Sequence, residues 1–255
     1  MTTEINIVLE CSETVMTKAQ EHWNESDVSK YSKIGQVELA VLHPLFHESL
    51  GDITGKSVVD YGCGEGKLLE ELAERGAKVY GYDISPAMIG TAQRILGDKA
   101  QLSVIKSGIV PLQNNTVEIV VSNLVFMMIS SEEELKLVFQ EVNRVLTEGG
   151  NFAFSITHPA FAETKFTTYY NRFHEPPDYF KSGQPYQFVL LTANGTEITN
   201  EHFRDYHYPL ETYFNLICDS GFALRQVREV KVEGNGYPPY LFLKADKLKS
   251  ICLAS

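Results

Sequence analysis

From residue 57 onward, short runs of β-branched and apolar residues alternate with longer amphipathic segments. This rhythm predicts parallel strands joined by crossover helices, because buried parallel strands are apolar throughout and their helices are apolar on one face. We predict strands at 57–61, 78–83, 101–106, 117–122, 151–157, 222–230 and 240–246. The predicted helices cover 67–75, 86–97, 132–146 and 210–220. The whole pattern indicates an α/β fold with a doubly wound sheet.

Two regions lie outside this alternation. Residues 1–56 have a helical pattern, notably at 35–50, and lead into the first strand. Residues 158–208 are longer than an ordinary connection and rich in Tyr, Phe, His and Pro, with a hairpin predicted around the turn at 193–196. We interpret this insert as a cap over the carboxyl ends of the strands, where open α/β sheets bind ligands. The expected domains are therefore 1–56, a core of 57–157 with 209–255, and the cap at 158–208.

Composition narrows the possible partners. Lys and Arg number 22 and Asp and Glu 33 in 255 residues, which gives a formal net charge of -11 and argues against a broad nucleic-acid or anionic-membrane surface. The longest apolar run, 119–129, is too short to cross a bilayer. The first residues carry acids where a signal peptide carries Lys or Arg, so we expect a cytoplasmic protein. The four cysteines lack CxxC spacing and indicate neither a disulfide framework nor a zinc site.

The most informative segment is Asp60-Tyr61-Gly62-Cys63-Gly64-Glu65-Gly66, between the first strand and its helix. Its glycines permit a tight turn and a close ligand approach. The spacing is GxGxG rather than the GxGxxG of dinucleotide sites, and an acid before the loop suits an ammonium better than a phosphate. Asp83 ends the second strand, where a carboxylate can accept hydrogen bonds from ribose hydroxyls. The alternative is a simple turn with Asp83 capping the next helix, a role that Ser85 already fills.

Four segments together resemble the class I S-adenosylmethionine-dependent methyltransferases, in particular those that act on small molecules. They are VVDYGCGEG, GYDIS, SNLVFMMI and FQEVNRVLTEGGNFAFSITHP, and the match covers residues 55–158 well and the last fifty residues loosely. The resemblance implies a Rossmann-like seven-stranded sheet of order 3-2-1-4-5-7-6 with helices on both faces. It also implies S-adenosyl-L-methionine as cofactor and S-adenosyl-L-homocysteine as product.

The resemblance further implies a set of cofactor contacts in the loops after the first four strands. They are Asp60, Gly62, Cys63, Gly64, Asp83, Ile84, Ser107, Gly108, Asn123 and Leu124. Asp60 would hold the amino group, Asp83 the ribose, and Ile84 the adenine. Family members often place an Asp after the third strand, where Ser107 stands here. Tyr31 resembles an N-terminal aromatic residue that closes over the cofactor, which would make 1–56 a helical lid; ordinary helix packing is the alternative.

Candidates for acceptor chemistry are less sharply defined. His158 follows the fifth strand at the sheet's carboxyl edge and is the first candidate for a catalytic base; a loop histidine bonded to backbone is the alternative. His207 is the second, with a hinge histidine that caps the final helix as the alternative. The aromatic residues of the cap are expected to form an acceptor pocket or plain core. They are Tyr169, Tyr170, Phe173, Tyr179 and Phe180.

The resulting hypothesis is a metal-independent enzyme that moves a methyl group to an O or N atom of a small-molecule acceptor. Metal independence is expected because Asp83 is assigned to ribose and Ser122-Asn123 offers no carboxylate. Two alternatives keep the same cofactor: an enzyme for a non-methyl reaction such as cyclisation, and a non-catalytic cofactor-binding module. Neither nucleic-acid nor membrane partners are expected, and the oligomeric state is not predicted.

Overall fold

The computed structural model describes residues 36–192, 194–198 and 203–249. The helices are α1 (Gln36–Leu50), α2 (Lys67–Glu74), α3 (Pro86–Leu96), α4 (Glu132–Val145) and α5 (Leu210–Asp219). The larger sheet contains β1 (Ser57–Tyr61), β2 (Lys78–Asp83), β3 (Ala100–Val104), β4 (Val117–Asn123), β5 (Leu146–Thr157), β10 (Phe222–Val230) and β11 (Tyr240–Lys247). The smaller sheet contains β6 (Tyr169–Phe173), β7 (Gln184–Leu191), β8 (Glu197–Ile198) and β9 (Arg204–His207).

The larger sheet has the strand order β10-β11-β5-β4-β1-β2-β3. Strands β1 to β5 are parallel, and β11 is antiparallel to both of its neighbours, β5 and β10. When β10 and β11 are counted as the sixth and seventh strands of this sheet, the order 3-2-1-4-5-7-6 is confirmed. The carboxyl ends of β1 to β5 meet at one side, which we call the carboxyl edge.

The helices flanking this sheet follow the spacing of their apolar residues. Helix α2 buries Leu68, Leu69 and Leu72, and burying one such side chain stabilises the fold by about 1.5–3 kcal/mol. Ser85 and Ser131 begin α3 and α4, because each side-chain oxygen accepts a hydrogen bond from the backbone N–H three residues later. These caps place the starts of both helices beside the carboxyl edge.

Strand β5 begins earlier than the sequence pattern predicts. Helix α4 ends at Val145, and Leu146 already pairs with Val117 before the register shifts so that Ile119 pairs with Asn151. The segment with Gly149 and Gly150, which follows the predicted helix 132–146, therefore lies in an irregular part of the strand. A Cβ at Gly150 would lie 3.0 Å from the Glu118 carbonyl oxygen, so glycine permits this close passage.

The smaller sheet comes from the long insert after β5. Strand β7 pairs with β6 on one side and with β8 and β9 on the other, all antiparallel. The predicted hairpin around 193–196 is confirmed by the pairing of Leu191 with Glu197. The Tyr208 hydroxyl donates to the Ile129 carbonyl at 2.7 Å, which fixes the end of the insert against the segment that follows β4. Within the described part of the chain, no helix has the length and apolar character needed to span a bilayer.

Candidate active site

The glycine-rich loop joins β1 to α2 with an unusual backbone. Gly62 and Gly64 have φ angles of +77° and +52°, a region that side chains with a Cβ disfavour. A Cβ at Gly62 would lie 2.4 Å from a Val125 methyl group, so the loop packs tightly there. At Gly64 the nearest atom would be the Met88 sulfur at 3.9 Å. The loop is therefore closed against the protein at Gly62 and accessible to a ligand at Gly64.

Asp60, which precedes this loop, is a buried carboxyl group. Its exposed fraction is 2%, and its Oδ1 has no hydrogen-bond partner among the described residues. Burial, together with the charge of Asp83, raises the pKa of Asp60 to about 8. A buried acceptor without a donor is costly. The position suits a ligand that brings a cationic donor such as an ammonium group.

Asp83 at the end of β2 is held by backbone donors. Gly64 N–H donates to Oδ2 at 2.9 Å, and Ser85 N–H donates to Oδ1 at 2.8 Å. Burial raises the pKa of Asp83, and these N–H donors oppose the rise. Ser85 caps α3 through Met88 N–H, as predicted. Asp83 thus accepts one N–H bond from the cap residue Ser85 and one from Gly64 in the loop. Each carboxylate oxygen keeps a lone pair that can accept a hydrogen bond from a ligand hydroxyl.

Two other predicted cofactor positions are linked through Tyr61. Gly108 N–H donates to the Tyr61 hydroxyl at 2.9 Å, and the Ser107 side chain hydrogen-bonds the same oxygen. Tyr61 is buried, and burial raises its pKa. The loop after β3 is thus fastened to the end of β1. Ile84, partly buried, lies between Asp83 and the cap of α3.

Cys63 is buried, and burial raises the pKa of its thiol well above its usual value. A Cβ added at Gly81 would lie 3.0 Å from the Cys63 sulfur, so this side chain is directed at β2. Its backbone N–H donates to the Tyr82 carbonyl at 3.1 Å. Both groups of Cys63 are therefore committed within the protein.

The chain turns sharply after β4. Leu124 has a φ of +56°, and its N–H donates to the Ser155 carbonyl at 3.1 Å. The Ser155 hydroxyl donates to Asn123 Oδ1 at 2.5 Å. A non-glycine residue in this left-handed region costs about 1–3 kcal/mol, and such residues cluster at functional sites. The turn brings Asn123 and Leu124 to the carboxyl edge, as predicted.

A narrow cavity lies between the carboxyl edge and the smaller sheet, and we call it the inter-sheet cavity. Its lining residues are Met127, Thr157, His158, Pro159, Ala162, Tyr186, Tyr206, His207, Tyr208 and Tyr213. None of these side chains is a carboxylate, lysine or arginine. The structure thus brings together His158 and His207, which the sequence placed 49 positions apart. The polar groups of the lining are imidazoles and hydroxyls.

The two histidines differ in the state of their ring nitrogens. His207 Nε2 lies 2.9 Å from the Tyr179 carbonyl oxygen. A carbonyl only accepts, so Nε2 carries the proton and Nδ1 has the free lone pair. Nδ1 has no hydrogen-bond partner among the described residues. Burial lowers the pKa of His207, which keeps the ring neutral near pH 7. The α5 cap is Pro209, without a side-chain bond, so the alternative that His207 caps this helix is wrong.

His158 uses both of its nitrogens. Nδ1 accepts from Ala160 N–H at 3.3 Å, and Nε2 donates to Glu229 at 3.3 Å. Burial lowers the pKa of His158 as well. The ring thereby caps the short helical turn Pro159–Phe161, which agrees with the alternative of a loop histidine bonded to backbone. Its geometry leaves no lone pair directed at the cavity.

The predicted aromatic residues of the insert do not form one pocket. Tyr169 is buried and donates to the Pro239 carbonyl at 2.5 Å, whereas Tyr170 lies on the opposite face of β6 and donates to Glu197. Phe173 packs on Tyr186. Tyr179 rests against His207. Phe180 is 81% exposed. Tyr31, the predicted N-terminal aromatic residue, lies outside the described residues.

The tyrosines that do line the cavity were not predicted from the sequence. Tyr206 and Tyr208 flank His207 in the segment RDYHYPL, and Tyr213 follows one turn into α5. A signal existed, since this aromatic cluster surrounds a histidine just before a helix. Tyr186 is found only through the pairing of β7 with β9, which no local pattern reveals.

Comparisons with known proteins agree with this arrangement. Residues 59–154 match the family described as "Methyltransferase domain". An uncharacterized methyltransferase of Bacillus velezensis is 27% identical over 70% of this chain and 75% of its own length. A malonyl-[acyl-carrier protein] O-methyltransferase of Ilyobacter polytropus is 28% identical over 64% of this chain and 59% of its own. The crystal structure of an S-adenosylmethionine-dependent methyltransferase from Mesorhizobium loti, 22% identical, covers 80% of this chain and 96% of its own with a TM-score of 0.63, which shows a shared fold.

Proposed function

Because this chain belongs to the class I S-adenosylmethionine-dependent methyltransferases, we propose that it methylates an O or N atom of a small molecule and releases S-adenosylhomocysteine. The observation that carries the proposal is that His207 lines the inter-sheet cavity beside the carboxyl edge, while the Tyr179 carbonyl binds its Nε2–H and leaves Nδ1 as the basic nitrogen. A neutral imidazole in that position can accept the proton of an acceptor hydroxyl or ammonium.

The cofactor-binding residues fit this proposal. S-adenosylmethionine supplies a methyl group on a positively charged sulfur. The unpartnered Asp60 Oδ1 offers an acceptor to the amino group of the cofactor, and the accessible backbone at Gly64 leaves room beside it. Asp83, already fixed by two N–H donors, presents a rigid carboxylate to the ribose hydroxyls. Asn123 and Leu124, at the carboxyl end of β4, would line the methyl-transfer cleft in this proposal.

His207 is better placed than His158 to act as the base. The Tyr179 carbonyl fixes the His207 tautomer, so the basic nitrogen is always Nδ1. His158 would have to break its bond with Ala160 N–H to accept a proton at Nδ1. In this proposal, His158 is a positioning residue that shapes the short turn bordering the cavity.

The lining of the inter-sheet cavity favours an acceptor without a strong negative charge. Its hydroxyls and imidazoles can orient a neutral hydroxyl or amine, but no lysine or arginine of the lining would neutralise a carboxylate or phosphate. In this proposal residues 158–208 form a substrate cap beside the core of 57–157 and 209–255. The predicted helical lid at 1–56 lies outside the described residues as far as residue 35. An O-methyltransferase relative supports oxygen as the accepting atom.

The test is incubation of the full chain with methyl-labelled S-adenosylmethionine and a metabolite extract. We expect a labelled small molecule and an equal amount of S-adenosylhomocysteine, with the reaction unaffected by EDTA. His207→Gln serves as the matched control, because it keeps the cavity filled and removes the basic nitrogen. Binding of the cofactor without any labelled product would favour the non-catalytic alternative, and a modified acceptor without label would favour a non-methyl reaction.

A further inference from the structure

Asp60 and Asp83 form a pair of buried carboxyl groups on neighbouring strands, and only one of them is provided with donors. Asp83 accepts two backbone N–H bonds, whereas Asp60 Oδ1 accepts none from the described residues. Two adjacent buried carboxylates repel each other, so one of the pair holds a proton. The donors decide which, because N–H bonds stabilise the charged form of Asp83 and leave the proton on Asp60.

The surroundings of Asp60 contain nothing that would remove this proton. The titratable group that acts on it is Asp83 on β2, which disfavours its negative charge. Cys63 in the loop stays an uncharged thiol, because burial and the two carboxyl groups raise its pKa well above its usual value. On the other side, its neighbour in register on β4 is Val121, which does not titrate. No described Lys, Arg or His makes a hydrogen bond to Asp60 or lowers its pKa. The described residues around Asp60 therefore supply no positive charge that would stabilise its carboxylate form.

We propose that this protein binds its cofactor with release of a proton, which leaves Asp60 for the solvent as the amino group of S-adenosylmethionine or S-adenosylhomocysteine takes its place. This inference rests on the proposed contact between Asp60 and that amino group. The ammonium group supplies the countercharge that Asp60 lacks, so the carboxylate becomes the stable form in the complex. Affinity is then linked to pH at a site distinct from the catalytic histidine.

The linkage has a definite size and sign. With a pKa of about 8 in the ligand-free protein, roughly 0.9 proton per site is displaced at pH 7, about 0.5 at pH 8 and about 0.1 at pH 9. Because the proton is a product of binding, affinity rises with pH, by roughly tenfold per unit well below pH 8. The enthalpy measured by calorimetry should therefore depend on the ionisation enthalpy of the buffer.

The experiment is calorimetric titration of the full chain with S-adenosylhomocysteine in phosphate and in Tris, at pH 7, 8 and 9. We expect the number of released protons to fall along the series given above. Asp60→Asn should bind with this release reduced by about 0.9 proton at pH 7. Glu74→Gln, which removes an exposed acid of α2, should leave the proton count unchanged.

Two results would overturn the inference in different ways. Saturable binding with the same enthalpy in both buffers at pH 7 would show that Asp60 holds no proton, while leaving the cofactor assignment intact. Absence of any saturable heat would remove the cofactor assignment and this inference together. If Asp60→Asn does not fold, the pH series on the natural chain decides by itself, since a release that rises from pH 7 to pH 9 is the wrong sign.

Discussion

The carboxyl edge and the inter-sheet cavity hold their polar groups in opposite ways. At the carboxyl edge the decisive groups are two buried carboxyls that lack a described cationic partner. In the inter-sheet cavity they are neutral imidazoles and hydroxyls. The first arrangement favours a ligand that brings a positive charge to Asp60, and the second suits a neutral ligand. Under the proposed function, the cofactor and the acceptor would therefore be distinguished by their charge.

The largest effect is expected in the inter-sheet cavity, from the substitution His207→Gln. We expect kcat to fall by about 10²–10⁴-fold, because the variant has no basic nitrogen to accept the acceptor's proton. Binding of S-adenosylhomocysteine should not change, since His207 lies in the cavity and not at the glycine-rich loop. In the natural enzyme, kcat should decrease when the pH falls below the ordinary pKa of histidine, because His207 Nδ1 then becomes protonated. An unchanged kcat would remove His207 from the proposed mechanism.

At the carboxyl edge, the first test is the substitution Asp83→Ala. Loss of charge-assisted hydrogen bonds costs about 1.5–3 kcal/mol, so the Kd of S-adenosylhomocysteine should rise by roughly tenfold or more. Isothermal calorimetry measures this change. Thermal unfolding provides the control, because Gly64 and Ser85 N–H also lose their acceptor. An unchanged Kd would exclude Asp83 from the cofactor site.

Asp60→Asn sharpens the comparison through the pH dependence of stability. The folded-state pKa of Asp60 is raised to about 8, so the folded chain binds more protons than the unfolded chain between about pH 4 and pH 8. The free energy of unfolding of the ligand-free natural protein therefore falls as the pH rises through this range. The variant lacks this contribution and should gain about 2 kcal/mol relative to the natural protein between pH 6 and pH 8. Urea unfolding at both pH values measures it; a pH-independent difference would contradict the assignment.

The smallest effect is expected at His158→Gln. The ring contributes two hydrogen bonds of 3.3 Å, so its loss should lower the free energy of unfolding by about 0.5–1.5 kcal/mol. We expect the fold-decrease in kcat to be at least ten times smaller than in His207→Gln. Parallel assays of the two variants make this comparison. Equal losses of kcat would show that both imidazoles participate in the proton transfer.

Local patterns were sufficient to predict the strands of the larger sheet and the loops at its carboxyl edge, whereas the strand order was implied by the family resemblance. The apolar runs of β1 and β4, the glycines after β1 and the acid at the end of β2 lie within short segments, so their spacing carries the information. The start of β5 was missed, because the pairing of Leu146 with Val117 depends on a distant strand. A glycine pair there is equally typical of a helix end.

The lining of the inter-sheet cavity was harder to predict from the sequence, because it too depends on pairing between strands that are distant in the chain. His207 and Tyr213 were separated in the pattern into a loop and a helix, whereas the cavity forms only when β9 pairs with β7. Nothing local indicates that the Tyr179 carbonyl lies 2.9 Å from His207 Nε2. Which histidine has a free nitrogen is a property of tertiary hydrogen bonds, and the sequence ranked His158 first.

The bond from Gly108 N–H to the Tyr61 hydroxyl bypasses β2. It fastens the loop after β3 directly to the end of β1, although these strands are not neighbours in the sheet. The Tyr61 side chain therefore connects two segments that the sheet itself does not join. The length of this side chain, rather than the spacing between adjacent strands, therefore sets the separation between the end of β1 and the loop at Ser107-Gly108.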